Sequence, residues 1–145
     1  MTSFFIISMV IKMKLKYFIP SIIMMIIIFI FSAQTGNDSS QLSNGLLLWI
    51  QNTFNITIPS LIIRKCAHMS EYALLMITFI YAYKRNNTKY FILYAFLSTV
   101  LYACTDEFHQ LFVENRSGNL LDVCVDSLGA SAATILYKIK TTYLH

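Results

Sequence analysis

Seven acidic residues, three histidines and a handful of basic ones carry whatever chemistry this chain performs, and their spacing sorts them into groups. Arg64, His68, Glu71 and Leu75 follow i, i+4, i+7, i+11 spacing, which puts them on one face of a helix. There, Arg64 and His68 can hold Glu71 ionised or share its proton. Tyr102, Asp106, His109 and Gln110 share a second helical face, with Glu107 about a quarter turn away. Asp122, Asp126, Gly129 and Ala133 share a third. The run Gly129-Ala130-Ser131-Ala132-Ala133 lets another helix approach that third face closely.

Two kinds of chemistry suit these groups. The spacings His68-x2-Glu71, Asp106-Glu107-x-His109 and Asp122-x3-Asp126 could supply His and carboxylate ligands to a divalent metal. No spacing matches a specific metal motif such as HExxH, and no other cofactor is expected. The same groups suit acid and base catalysis of phosphate or ester chemistry on a lipid-linked substrate, with His68, Glu71, Asp106 and Glu107 as the catalytic candidates. There is no Gly-rich phosphate loop, no nucleophile elbow and no recognisable Ser-His-Asp triad. A structural reading stands beside both: Arg64 with Glu71 or Asp122 as ion pairs that set helix register.

The elements that carry these residues are set by hydrophobicity. Of 145 residues, 57% are hydrophobic and only 12% charged. A soluble domain carries about twice that charged fraction. With 4 Gly and 2 Pro, the chain has little turn chemistry for a β fold. Tyr17 to Ala33 is uncharged and about long enough to span a bilayer. Tyr72–Tyr83, Tyr90–Thr105 and Ser127–Tyr137 are too short alone. Each must extend into its charged end, through Glu71 and His68, through Asp106, and through Asp126. Three helices thus carry ionisable groups at or just inside one membrane face, where charge is costly and groups pair or function.

Lys12, Lys14, Lys16, Lys84, Arg85, Lys89, Lys138 and Lys140 account for eight of the 11 basic residues. With four crossings they share one side, which the positive-inside rule makes cytoplasmic. All seven acids, with Arg64, Lys65 and Arg116, fall on the other side. The net charge of +4 follows this pattern and excludes nucleic acid as a partner. Cys66, Cys104 and Cys124 form no CxxC and read as small packing residues near the outer helix ends; a redox pair or metal ligands is the sharper alternative.

The expected fold is all-α and polytopic, with about four transmembrane helices, both termini inside and an outer interfacial helix. Its parts are a cytoplasmic or interfacial segment 1–16, a membrane domain 17–137 and a cytoplasmic tail 138–145. The spanning helices are expected at about 17–34, 64–83, 90–109 and 120–137. Leu42, Leu46, Trp49 and Thr53 recur at helical spacing, so an amphipathic helix is expected at about 40–54, capped by Ser39 or Ser40. Met13-Lys14-Leu15-Lys16 offers an alternative start.

An ordered set of motifs runs through these elements. It comprises Phe31-Ser32-Ala33-Gln34; Arg64-Lys65-x-Ala67-His68-x2-Glu71-Tyr72-x-Leu74; Asp106-Glu107-x-His109-Gln110-x-Phe112; and Arg116-Ser117-Gly118-x3-Asp122-Val123-x2-Asp126-x2-Gly129. Together they resemble the VanZ-like family over roughly Phe31 to Leu136. In one departure, Glu114-Asn115 stand where the family pattern usually has Pro-Gly before the arginine. The resemblance implies a multi-pass protein of the bacterial cell membrane, of a type linked to low-level resistance to the glycopeptide teicoplanin. It implies no particular activity.

Motifs and helix faces nominate Gln34, Arg64, His68, Glu71, Tyr72, Asp106, Glu107, His109, Gln110, Arg116, Asp122 and Asp126 as ligand-binding candidates. The expected partners are membrane lipids and a lipid-linked cell-wall precursor or glycopeptide-related ligand. Arg64, Lys65 and Arg116 would contact phosphate.

Overall fold

The computed structural model describes residues 14–56 and 58–143, and of Leu42 the backbone alone. The expected N-terminal segment up to Met13, with the alternative start there, lies outside the described residues. Helix α1 spans Ile19–Ser32, continuing a 3-10 turn at Leu15–Phe18, and Pro20 occupies its first turn, where a missing N–H costs nothing. Helices α2 (Gly36–Phe54), α3 (Ser60–Arg85), α4 (Phe91–Gln110) and α5 (Leu120–Tyr143) follow. There is no strand among the described residues.

Among the described residues, three helices are long and apolar enough to cross a membrane: Leu15–Ser32, Phe91–Gln110 and Leu120–Tyr143. Helix α3 is the longest at 26 residues but carries Arg64, Lys65, Glu71, Lys84 and Arg85. It is also the hub, packing against the other four helices. Its Tyr72, Leu75, Met76, Phe79, Ile80 and Ala82 are buried, because they recur at three- and four-residue intervals on the enclosed side.

Against these large side chains, α4 and α5 present mostly small residues. Ala95, Thr99 and Ala103 of α4 and Gly129, Ala130 and Ala133 of α5 are buried, whereas Ile22, Ile23, Ile26, Leu97, Leu101, Leu128, Ile135 and Leu136 point outward. Lipid gives large apolar side chains no reason to hide, so close backbone approach decides what lies inside. Gly129 shows this best: a Cβ there would stand 2.2 Å from the Met69 carbonyl oxygen of α3. Interhelical hydrogen bonds add to the packing. Tyr102 donates to the Met25 carbonyl at 2.5 Å, tying α4 to α1, and the Tyr83 and Ser98 hydroxyls meet at 2.8 Å between α3 and α4.

Several expectations are corrected. Helix α2 starts at Gly36, not Ser40. Thr35 is its cap: the Thr35 hydroxyl accepts the Asp38 N–H at 3.3 Å and donates to the Asp38 carboxylate at 2.7 Å. Ser40 lies inside the helix and donates back to the Gly36 carbonyl. Helix α3 begins one turn before Arg64, directly after Pro59. Helix α5 runs to Tyr143, past the expected helix end near residue 137. Lys138 and Lys140 are exposed along that extension, and a cation in the last turn suits the helix dipole. The three cysteines are free and exposed, so they do not pack the core.

Candidate functional site

Helix α3 brings Arg64, Lys65 and His68 to a small cavity of about 90 Å³. Helix α4 supplies Glu107 and Gln110, the following loop Asn115, Arg116 and Ser117, and α5 Asp122, Val125 and Asp126. A second cavity, of about 260 Å³, adjoins it. Its walls include Phe31 and Gln34 after α1, Ser39, Ser43 and Leu46 of α2, and Ile63, Ala67 and Glu71 of α3. Arg64, His68 and Arg116 line both cavities and form the wall between them.

The α4–α5 side of the site is an ordered polar cluster. The Gln110 amide donates to Asp106 at 3.2 Å and to Glu107 at 3.3 Å. The other Glu107 oxygen accepts the Asn119 backbone N–H at 2.9 Å. Asn119 in turn starts α5, its side chain accepting the Leu121 N–H at 3.1 Å. Glycine is required at position 118 for this contact, since a Cβ there would stand 2.1 Å from the Glu107 carbonyl oxygen. Asp106, Glu107, Gln110 and Asp126 are all buried.

The α3 side is less fully bonded. Lys65 forms an ion pair with Asp122. His68 Nδ1 lies 3.5 Å from Glu71 Oε2, too far for a good hydrogen bond, and neither atom has another partner. Arg116 turns inward and donates from Nη2 to the Phe31 carbonyl at 3.2 Å, while its buried Nε has no partner. Burial pulls the Arg116 pKa below its ordinary value, and Arg64 adds to the effect; Asp106, Glu107 and Glu71 oppose it. An arginine so placed keeps its charge at neutral pH.

The departure at Glu114-Asn115 leaves the turn intact. Asn115 takes a φ of 57°, the left-handed region that asparagine tolerates better than most residues. It thus does the conformational work of a glycine, and Arg116 still reaches the site.

Of the candidates read from the sequence, Arg64, His68, Glu107, Gln110, Arg116, Asp122 and Asp126 meet around the smaller cavity. Gln34 and Glu71 line the larger one. Tyr72 and Asp106 are buried beside the site and line neither. His109 turns away: its ring packs 4.6 Å from Phe29 on α1. Glu107, assigned to the side of the α4 polar face, instead points at α5. Residue 109 lies about 200° around the helix axis from residue 107, so the two cannot both face α5. Asn115, Ser117 and Val125 also line the smaller cavity and Asn119 bonds Glu107, though none of the four is among the ligand-binding candidates. An asparagine just before Leu120-Leu121-Asp122 was the available signal for Asn119, as a helix cap. Among the described residues, no three His, Cys, Asp or Glu side chains converge to hold a metal ion.

A chain whose described residues form helices and no strand, three of them membrane-length, with many large apolar side chains facing outward, belongs to the class of multi-pass membrane proteins. The family described as VanZ/LLP1 matches residues 17–141, and the chain belongs to it. No curated protein and no solved structure matches the chain.

Proposed function

We propose that this is a four-span protein of the bacterial cell membrane, with both termini cytoplasmic, whose outer site binds the phosphate of a lipid or lipid-linked envelope component. Helix α3, at 26 residues, is about 39 Å long and exceeds the roughly 30 Å hydrocarbon core. Its packing against the other four helices offsets the cost of its charges. The basic residues Lys14, Lys16, Lys84, Arg85, Lys89, Lys138 and Lys140 all fall at the opposite ends of the helices from the acids, which supports the orientation.

The observation that carries the ligand class is the shared wall. Arg64 and Arg116 stand between a polar cavity and one lined partly by Phe31, Leu46, Ile63 and Ala67. Asp122 is occupied by Lys65, and Glu107 by Asn119 and Gln110. The two guanidiniums pair with no carboxylate among the described residues. Such an arrangement suits an amphiphile with an anionic head, because arginine donates to phosphate through a planar fork. Occupying an envelope lipid in this way would lower susceptibility to teicoplanin by changing what the glycopeptide meets.

The test is calorimetric binding of dodecyl phosphate, with dodecanol as control, to the purified protein in detergent. The wild-type chain should prefer the phosphate, and Arg116→Ala should weaken that binding by at least about tenfold, as for loss of hydrogen bonds to a charged group. Unchanged phosphate binding in well-expressed Arg116→Ala and Glu71→Gln variants, together with unchanged teicoplanin susceptibility of cells carrying them, defeats the proposal.

A catalytic reading uses the same site. It is favoured by the His68–Glu71 pair, poised near a hydrogen bond with neither atom otherwise engaged. His68, Glu71, Asp106 and Glu107 would then serve acid and base chemistry, with or without a divalent ion, on a lipid-linked phosphate. Lipid extracts analysed before and after incubation, with the metal content of the protein, decide this. Unaltered lipid removes the reading.

A further inference from the structure

We propose a second lipid site at the opposite end of the bundle: the groove between the start of α4 and the end of α5 holds one anionic phospholipid. The groove encloses about 440 Å³ and is lined by Tyr90, Leu93, Phe96 and Thr134, with Lys89 and Lys138 among its walls. Its wall is otherwise apolar, a surface that a small soluble anion would leave uncovered. An acyl chain covers it, and the two ammonium groups then meet the headgroup phosphate.

Charge selects the kind of lipid. No Asp or Glu occurs in residues 72–105 or 127–143, the segments that build this end of the molecule. The neighbouring Lys84 is engaged within the protein, donating to the Tyr137 hydroxyl at 3.0 Å. Lys89 and Lys138 pair with no carboxylate among the described residues. Two cations above an apolar trough, with no acid to neutralise them, complement a lipid of net negative charge, and basic pockets between transmembrane helices take such headgroups. Tyr90 stands at the same level, 5.2 Å from the Lys89 ammonium, in the position of an interfacial aromatic. This site shares no residue with the outer one, so either can fail without the other.

Native mass spectrometry of the purified chain, given equal phosphatidylglycerol and phosphatidylcholine, tests the assignment. The wild-type chain should retain phosphatidylglycerol about thirtyfold better, the scale expected of two lysines near a headgroup. The exposed pair Lys89→Ala/Lys138→Ala should lose that preference, and Lys140→Ala should keep it. Thr134→Phe, which leaves both lysines and fills the trough, should lose it as well. Equal retention of the two lipids by the wild-type chain overturns the proposal. So does an undiminished preference in the double variant. An undiminished preference in Thr134→Phe also overturns it, because general attraction to surface lysines would then be enough.

Discussion

Glu107 shows what one side chain does here. Each of its oxygens accepts a hydrogen bond, from the Gln110 amide and from the Asn119 N–H that opens α5. Glu107→Ala removes the charged acceptor of that part-buried hydrogen bond and should cost about 1–3 kcal/mol. Glu107→Gln keeps an acceptor and should cost less. Thermal unfolding in detergent, followed by circular dichroism, ranks the two, and equal loss would mean that Asn119 is satisfied some other way. Lys65 makes the opposite case. Its ion pair with Asp122 leaves the two side chains 39% and 34% exposed. Water screens such a pair, so Lys65→Ala should change stability by less than about 1 kcal/mol in the same measurement. The pair orients the rim of the cavity more than it holds the fold.

Helices meet where small residues permit it, and the α3–α5 crossing is the decisive one. A Cβ at Gly129 would collide with backbone, which cannot move aside as a flexible side chain can. Gly129→Val should therefore cost at least about 1–3 kcal/mol through overpacking. It should also lower the yield of monodisperse protein in size-exclusion chromatography, whereas Gly45→Ala, which meets nothing within 4 Å, should not. Most of this level could be read from the chain. The apolar runs, the need to extend them into their charged ends and the small-residue run at Gly129 all rest on local spacing. Helix ends were less legible. Thr35 outcompetes Ser40 as a cap because the Asp38 carboxylate answers its hydroxyl. The last turns of α5 persist because lysines on an exposed helix face need no loop to reach water.

For the molecule as a whole, the testable claim is topology. In a chain with Cys66, Cys104 and Cys124 replaced by serine, Asn52→Cys in the exposed half of α2 should react with a membrane-impermeant maleimide on intact cells. Lys140→Cys, at the exposed end of α5, should react only after the membrane is opened. Labelling of both from outside would mean an even number of crossings between them, and labelling of Lys140→Cys alone would mean the reverse orientation. The same arrangement separates the two proposed ligands in space: a phosphate amphiphile among Arg64, His68 and Arg116, and an anionic phospholipid at Lys89 and Lys138.

What the chain determines by itself is depth. Hydrophobic length and the clustering of lysines depend only on neighbours along the sequence, so they place the acids, His68 and Arg116 at one level and every lysine but Lys65 at the other. What only the tertiary structure decided is azimuth, meaning which neighbour each residue at that level faces. His109 and Glu107 lie two residues apart, yet one packs on Phe29 of α1 and the other on the start of α5. Asp106 is buried behind the cavity that Asp126 lines. Arg116 reaches Phe31, 85 residues away, because a left-handed asparagine turns the loop inward. The rotation of each helix about its axis is set by close packing of distant backbones, such as Gly129 on Met69, and no local pattern contains that information.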